Sequence, residues 1–91
     1  MSHLAANKSA LLARVRRIAG QVAAIEKAIA DDAACNTVLH QVAGVRGAVG
    51  GLMDELIADH ARQHVASPGL SDAERAEAVE DLIAAIRRYA R

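Results

Sequence analysis

Residues 32–64 read DAACNTVLHQVAGVRGAVGGLMDELIADHARQH and predict one long helix, around which the rest of the chain is organised. The stretch holds no proline, and its apolar residues recur at alternating steps of four and three, the period of a helix packed along a seam. These residues are Val38, Val42, Val45, Val49, Leu52 and Leu56. The only cysteine, Cys35, stands near the start of this helix, and His60 and His64 stand near its end.

The thiol and the imidazoles are far apart along this helix. A helix rises about 1.5 Å per residue, so Cys35 and His60 are expected roughly 37 Å apart if the helix is straight. They cannot meet within one molecule unless the helix breaks. If they form one site, a second copy of the chain must run antiparallel beside the first.

A shorter helix is predicted before this stretch. It starts between Leu4 and Ser9, with Asn7 or Ser2 as its cap. Its apolar stripe also alternates steps of four and three, through Leu11, Val15, Ile18, Val22, Ile25 and Ile29. A tight turn joins the two helices, which are therefore expected to be antiparallel.

Local signals set the helix boundaries. We expect Asp31-Asp32 to end the first helix and to cap the second, which places Cys35 in a first helical turn, where the thiolate is favoured. Ser67-Pro68-Gly69 stops the second helix. The capping box Ser71-Asp72-Ala73-Glu74 opens a third helix. The apolar stripe of that third helix is Val79, Leu82, Ile83 and Ile86.

Four glycines lie inside the predicted second helix, at Gly44, Gly47, Gly50 and Gly51. Each costs roughly 1 kcal/mol of helix stability relative to alanine. We therefore expect another helix to approach closely along this side.

Length and composition predict one all-α domain spanning residues 1–91. Hydrophobic residues make up 53% of the chain, yet Tyr89 is the only aromatic one, which is typical of helices packed through small side chains. A chain of this size is marginal alone, so oligomerisation is expected. We find no apolar run that would span a membrane and no signal peptide. A lone cysteine suits the reducing cytoplasm.

Charge is segregated although the net charge is zero. Residues 1–30 hold five basic residues against one acidic residue, whereas residues 54–81 hold eight acidic residues against two basic ones. A basic face can then meet an anionic polymer despite overall neutrality.

The basic residues of the first helix are candidates for DNA contacts. Arg14, Arg17 and Gln21 share one flank by helical spacing, while Arg16 points to the other side. Such clusters more often form a solvated helix face, so the DNA interpretation needs the repetition that a symmetric oligomer supplies. No helix-turn-helix is visible, and the lack of aromatics argues against stacking on single strands. Arg46 is either an interface residue or a further DNA contact.

Histidines and the cysteine form the second candidate site. His60 and His64 are one turn apart and project from one face, where they are either two ligands of one ion or two solvated side chains. The antiparallel hairpin brings His3 to the same end, and a partner chain supplies Cys35. One thiolate and three imidazoles suit Ni(II), Co(II) or Zn(II) better than Cu(I).

Two other classes of function are an enzyme and a structural bundle. We find no serine–histidine–acid arrangement, no phosphate-binding loop and no nucleotide fingerprint, and a thin hairpin offers no shaped substrate pocket, so an enzyme is not expected. A structural or metal-storing helical bundle without a DNA role stays as an alternative.

These features together resemble the CsoR/RcnR/FrmR family of small helical transcriptional repressors. The matching segments are RVRRIAGQ at residues 14–21, Cys35, VLHQVAGVRGA at residues 38–48, GLM at residues 51–53, His60 and His64. The resemblance covers nearly the whole chain. It implies a dimer of antiparallel hairpins, a four-helix bundle, that pairs into a dimer-of-dimers tetramer and binds double-stranded operator DNA. It also implies release of the DNA when an effector binds between subunits.

The resemblance also implies which residues carry these roles. Arg14 and Arg17, with Arg16 and Lys8, would contact DNA. The nickel/cobalt branch has a ligand set matched by His3, Cys35, His60 and His64, together with the N-terminal amine, which Ser2 carries once Met1 is removed. We therefore predict a repressor that responds to Ni(II) or Co(II), with Zn(II) as a further candidate.

Formaldehyde sensing is the alternative on the same scaffold. The formaldehyde branch links the thiol to a partner's N-terminal amine through a methylene bridge, which Cys35 and Ser2 would form here. This chain departs from that branch at Ser2, where the branch has proline, and at His64, where it has an acidic residue. The RVRRI stretch, residues 14–18, is closer to that branch. The copper and persulfide branches need a second cysteine, which this chain lacks.

Overall fold

The computed structural model describes residues 7–89, which form three helices joined by short turns. Helix α1 is Lys8–Ala30, α2 is Cys35–His64 and α3 is Asp72–Tyr89. None of the described residues lies in a strand, which confirms the predicted all-α class. None of these three helices combines the length and hydropathy that crossing a bilayer requires.

The chain divides into two compact units. The hairpin unit is Ser9–Leu52, which holds nearly all of α1 and the first part of α2. The C-terminal unit joins Asn7 and Lys8 to the chain from Met53 onward. A single domain over residues 1–91 stays a prediction.

The two helices of the hairpin unit are antiparallel. Arg14 Nη1 lies 3.1 Å from the position that a Cβ on Gly51 would occupy. Further along α1, Gln21 shares a cavity with Gly44, which comes earlier on α2. Rising positions on α1 therefore meet falling positions on α2, as the sequence predicted.

Helix α1 ends in a Schellman turn, in which two backbone N–H groups reach back to carbonyls of the last helical turn. The Ala33 N–H donates to the Ala28 carbonyl at 2.9 Å, and the Asp32 N–H donates to the Ile29 carbonyl at 3.2 Å. Asp32 adopts φ = 58°, in the left-handed region. The prediction that Asp31-Asp32 ends α1 is confirmed.

The predicted capping of α2 by Asp31-Asp32 is wrong. The N–H groups of Thr37 and Val38 donate to the carbonyl of Ala34, so Ala34 holds the N-cap position and offers no side-chain acceptor. The first turn of α2 also holds no acidic residue. Asp32 is used to close α1 instead. Cys35 still lies in the first turn, as predicted, and is exposed.

Each apolar stripe of the hairpin unit splits into a covered half and an exposed half. Every second member of each stripe is buried or half-buried, namely Leu11, Ile18, Ile25, Val38 and Val45. The intervening members are 44–60% exposed, namely Val15, Val22, Ile29, Val42 and Val49. One hairpin therefore buries only half of the apolar surface that its periodicity provides.

Most glycines of α2 have no other described part of the same chain close to them. A Cβ on Gly44, Gly47 or Gly50 would meet no atom of the described residues within 4 Å. Only Gly51 has a near neighbour, and it is the Arg14 side chain. The expected close approach of a helix is thus not found within the hairpin.

The C-terminal unit ties α3 to the end of α2 through polar contacts. Arg75 Nε donates to the Val65 carbonyl at 2.7 Å, and Arg75 Nη2 donates to the Ser67 carbonyl at 3.2 Å. These carbonyls follow the last residue of α2, where a cation also suits the helix dipole. Arg75 therefore joins α3 to the turn that follows α2.

The predicted capping box opens α3. The Ser71 N–H donates to Glu74 Oε1 at 3.0 Å, and the Glu74 N–H donates to Ser71 Oγ at 3.1 Å. The backbone hydrogen bond from Ser71, together with its side-chain hydrogen bond, lowers the pKa of the Glu74 carboxyl. The ionised form of Glu74 is thus the one that caps the helix.

Replacing Asp32 with glycine is expected to stabilise the protein. Glycine adopts a left-handed φ without the steric cost of a Cβ, so Asp32→Gly should raise the free energy of unfolding by about 0.5–1 kcal/mol. Urea denaturation at fixed protein concentration measures the change. Asp31→Gly is the matched control and should bring no gain. A loss of stability in Asp32→Gly would contradict this account of the turn.

Stability should fall in acid partly through Glu74. Its pKa is lowered in the folded state. Its contribution is therefore complete above the ordinary glutamate pKa and disappears as the pH falls through the lowered value. Urea unfolding between pH 7 and pH 3 should show a smaller loss of stability in Glu74→Gln than in the parent protein. Superimposable pH profiles would show that the capping carboxylate contributes nothing.

Candidate functional site

Two arginines of α1 line one cavity in the hairpin unit. The cavity has a volume of about 240 Å³. Its lining consists of Arg14, Arg17, Ile18, Gln21, Gly44 and Ala48. The small residues come from α2, and they leave room for the long side chains of α1. The cavity places two guanidinium-bearing side chains together, which is the chemistry of an anion site.

Gln21 lines this arginine cavity, and Gly51 lies close to one of its arginines. A Cβ at Gly51 would lie 3.1 Å from Arg14 Nη1, so a side chain there would require the guanidinium to shift. Gln21 Oε1 is buried and accepts no hydrogen bond among the described residues. The sequence placed Arg14, Arg17 and Gln21 on one flank, and their shared cavity confirms this grouping.

The other predicted DNA-binding residues lie outside the cavity. Arg16 is exposed on α1, and Arg46 is exposed on α2. Lys8 is exposed at the start of α1 and belongs to the C-terminal unit. Of the five basic residues predicted to contact DNA, two are therefore brought together by the cavity, and three are exposed separately.

His60 and His64 form a pair near the end of α2. Their ring centroids are 4.9 Å apart and the rings are tilted by 43°. Both side chains are half-buried. His60 also lines an apolar cavity of about 270 Å³ between α2 and α3, beside Met53, Leu56, Ile57, Asp81, Leu82 and Ala85.

The histidine pair does not make a complete metal site by itself. Within residues 7–89, no three side chains of histidine, cysteine, aspartate or glutamate are grouped so that they could hold a metal ion. Cys35 is the exposed first residue of α2, whereas His64 is its last residue. The other two predicted donors, Ser2 and His3, lie outside the described residues. A metal site that uses the histidine pair therefore needs further ligands.

Asp59, next to the histidine pair, was not singled out from the sequence. It is only 5% exposed and is the one buried charged residue among those described. Its carboxylate accepts from Asn7 Nδ2, at 3.4 Å to Oδ1 and 3.3 Å to Oδ2, and from Arg62 Nη1 at 3.2 Å to Oδ1. Asn7 directly precedes α1, so it stands where the sequence predicted a cap, and its amide nitrogen donates to Asp59. The contact joins residues 52 positions apart, and no local pattern signals it.

Comparison with known proteins identifies the family. The sequence model described as metal-sensitive transcriptional repressor matches residues 7–88. An uncharacterized protein in the bioA 5′ region of Serratia marcescens is 43% identical over 89 residues, covering 98% of each chain. The transcriptional repressor RcnR of Salmonella arizonae is 38% identical over 89 residues, again covering 98% of each.

A solved structure agrees with this assignment. It is a variant of the formaldehyde-responsive regulator FrmR from Salmonella enterica serovar Typhimurium, in which a glutamate is replaced by histidine. The two folds match with a TM-score of 0.88 at 38% identity, over 97% of this chain and 99% of that one. The predicted resemblance to CsoR, RcnR and FrmR is confirmed. The chain belongs to the metal-sensitive transcriptional repressor family, whose membership implies binding of DNA and of metal ions and no enzymatic activity.

Proposed function

We propose that this protein is a cytoplasmic repressor that binds operator DNA and releases it when Ni(II) or Co(II) binds at a site shared between two subunits. The observation that carries the proposal is the histidine pair. His60 and His64 lie 4.9 Å apart by ring centroids, on one face of α2, so both imidazoles can reach one ion. Imidazole is a borderline ligand and suits Ni(II), Co(II) and Zn(II).

The remaining ligands come from elsewhere in the assembly. We assign them to His3, to the N-terminal amine of Ser2 after removal of Met1, and to Cys35 of the partner subunit. Within the described residues the pair lacks a third donor, which fits a site completed by the N-terminal segment and by a second chain. The exposed thiol at the start of α2 is accessible to such a partner. When bound, the ion supplies a cross-link between subunits.

The exposed half of each apolar stripe supports the required dimer. Five aliphatic side chains of the hairpin unit are 44–60% exposed, namely Val15, Val22, Ile29, Val42 and Val49. Complete burial of a fully exposed aliphatic side chain is worth about 1.5–3 kcal/mol, so covering the half of each that is still exposed favours association. A second hairpin packed here makes a four-helix bundle, and two such dimers make the proposed homotetramer.

The arginine cavity and the exposed basic residues form the proposed DNA surface. Arg14 and Arg17 are held together, and Arg16, Lys8 and Arg46 add positive charge. The chain has no net charge, so affinity for DNA must come from this uneven distribution. A tetramer repeats the surface four times, which lets contacts that are weak one at a time hold a duplex.

Metal binding and DNA binding are coupled through α2. This helix carries Arg46 and Gly51 along its length and ends at the histidine pair. Drawing His60 and His64 toward Cys35 of the partner subunit shifts the helices, so that the arginine surfaces no longer match the spacing of phosphates. The metal then binds the DNA-free form more tightly, and by linkage DNA weakens metal binding by the same factor.

Formaldehyde sensing is the second candidate, favoured by the FrmR neighbour and by the exposed thiol. The Cys35 thiol and the Ser2 amine of a partner subunit would condense with one formaldehyde molecule. A C–S bond and a C–N bond form at the formaldehyde carbon, and its oxygen leaves as water. His64 stands against this candidate, because the formaldehyde branch that the chain resembles has an acidic residue at this position.

Effector-induced release distinguishes the candidates. Fluorescence anisotropy of the apo protein on an operator duplex should fall when Ni(II) or Co(II) is added in stoichiometric amounts. Coupling of about 1–3 kcal/mol should weaken DNA binding about 5–150-fold. His64→Ala and Cys35→Ala should bind the duplex normally and no longer release it with metal.

Contrary outcomes are equally informative. Release by formaldehyde alone, with a methylene-linked dimer that is lost in Cys35→Ala, would favour the aldehyde sensor. Failure to bind any duplex at low salt would favour a metal-storing bundle without a DNA role.

Removing Arg17 should weaken DNA binding without changing sequence preference. Arg17→Ala removes a phosphate contact from each subunit, so affinity should drop about tenfold and the salt slope of the binding constant should decrease by about 1 or more. Lys27→Ala removes the same charge from the same helix and is the matched control. Lys27 already pairs with Asp31 at 3.1 Å. Equal effects of the two variants would show that only net charge matters.

A further inference from the structure

We infer that Arg75 is a positioning residue for the proposed metal site, because it holds the end of α2 in the shape that keeps His64 beside His60. The inference rests on the proposed function and deepens it. It assigns a role in sensing to an arginine of α3 that binds neither metal nor DNA in that proposal. We call its two hydrogen bonds to the turn after α2 the Arg75 clamp.

The Arg75 clamp joins one side chain of α3 to two backbone carbonyls that lie beyond the end of α2. Arg75 Nε donates to the Val65 carbonyl at 2.7 Å, and Arg75 Nη2 donates to the Ser67 carbonyl at 3.2 Å. Both donors belong to one planar and permanently charged guanidinium, so the two carbonyls are held in a fixed relation to each other. Both hydrogen bonds are partly buried, where a charged donor binds more strongly than it does in water.

The base of the clamp is itself held in place. Arg75 lies within the first four residues of α3, and its backbone N–H donates to the Ser71 carbonyl at 3.0 Å. The capping box of Ser71 and Glu74 opens this same turn. Further along α3, Leu82 lines one cavity together with His60 of α2. The guanidinium is therefore presented by a capped helix that lies beside the last part of α2.

The last turn of α2 is the part of that helix that most needs such support. The final carbonyls of a helix have no partner further along the helix, so helix ends open more easily than helix centres. His64 is the last residue of α2, and Val65 directly follows it. The N–H groups of Val65 and Ala66 both donate to the Ala61 carbonyl, at 3.0 and 2.9 Å, and these bonds close the helix. The clamp binds the carbonyl of Val65, so it restrains a residue whose N–H closes the helix.

Closure of this turn decides where the His64 imidazole points. Residues at i and i+4 lie above one another only while the backbone between them is helical. In this arrangement the ring centroids of His60 and His64 are 4.9 Å apart. If the turn opened after Ala61, the bond from Cα to Cβ of His64 would change direction, and the two imidazoles would no longer face one ion. The clamp therefore keeps the pair ready for metal binding.

Readiness of this kind raises metal affinity by lowering the entropy cost of binding. Without the clamp, the last turn of α2 must be ordered when the ion binds, and the cost of that ordering reduces the affinity. Contacts that orient metal ligands indirectly commonly contribute about 10–100-fold to metal affinity. Arg14 and Arg17, to which DNA binding is assigned, belong to the other compact unit, so the clamp should affect sensing more than apo DNA binding.

The first test measures amide hydrogen exchange in the apo protein by NMR. In Arg75→Ala, the N–H groups of Val65 and Ala66 should exchange about tenfold faster, because the clamp no longer opposes opening of the turn. Amides in the middle of α2 should exchange as in the parent. Arg87→Ala removes the same charge from the same helix and is the matched control. Unchanged exchange at both amides would overturn the inference, since the clamp would then not restrain the turn.

The second test measures Co(II) affinity of the full-length protein by competition with a chelating dye. Arg75→Ala should weaken Co(II) binding roughly tenfold or more, while apo DNA affinity stays within about twofold. Arg75→Lys keeps the charge but loses the planar fork, so its affinity should lie between those of the parent and Arg75→Ala. Arg87→Ala should bind Co(II) like the parent. Equal losses in Arg75→Ala and Arg87→Ala would show that only net charge matters and would overturn the inference.

A double-mutant cycle separates positioning from simple structural support. In a His64→Ala background, Arg75→Ala should cost much less Co(II) affinity than in the parent, because the imidazole that it positions is already absent. In a Cys35→Ala background, Arg75→Ala should keep its full effect, since Cys35 is at the opposite end of α2. Equal effects in all three backgrounds would overturn the inference and leave the clamp a purely structural contact.

The same measurements distinguish failure of the clamp from failure of the proposed function. If neither His60→Ala nor His64→Ala weakens Co(II) binding, the metal site itself is wrong, and the role of Arg75 in sensing is wrong with it. If both variants weaken binding and Arg75→Ala does not, only the role of Arg75 is wrong. Melting temperatures of the apo variants show whether each protein is folded, and Arg75→Lys replaces Arg75→Ala in every comparison if the alanine variant is unfolded.

Discussion

The unbroken helical backbone of α2 is the constraint on which the rest of the molecule depends. The helix is 30 residues long, with Cys35 as its first residue and His64 as its last. Side chains at the two ends of so long a helix cannot coordinate one ion together. Any site that uses both the thiol and the imidazoles must therefore combine two chains, and this requirement makes assembly part of the sensing chemistry.

Assembly is supported by the way in which the apolar stripes are divided. In the hairpin unit, alternate stripe positions are buried or half-buried, and the positions between them stay exposed. Helices with aliphatic and alanine side chains and almost no aromatic residues have little bulk with which to close a core in one hairpin. The surface that remains is aliphatic and regularly spaced, which suits packing against another copy of the same pattern.

Polar contacts stabilise the ends of the helices, whereas apolar packing stabilises the hairpin. Arg75 holds the carbonyls that follow α2, the Ser71 and Glu74 box opens α3, and Asp59 holds Asn7. All of these contacts lie in the C-terminal unit, which also contains His60 and His64. Hydrogen bonds and charges thus hold the helix ends of the C-terminal unit, which carries His60 and His64, whereas the hairpin unit carries the arginine cavity.

The sequence by itself determined the number of helices, their class and nearly all of their boundaries, because these follow from periodicity and from capping signals a few residues apart. It also determined the histidine pair and the shared flank of Arg14, Arg17 and Gln21, since helical spacing decides both. Tertiary structure alone decided which half of each stripe is covered, that Gly51 makes room for Arg14, and that Asp32 closes α1 instead of capping α2. It alone revealed the Asn7–Asp59 contact, because a hydrogen bond between residues 52 positions apart depends on how the chain returns on itself and leaves no trace in local sequence.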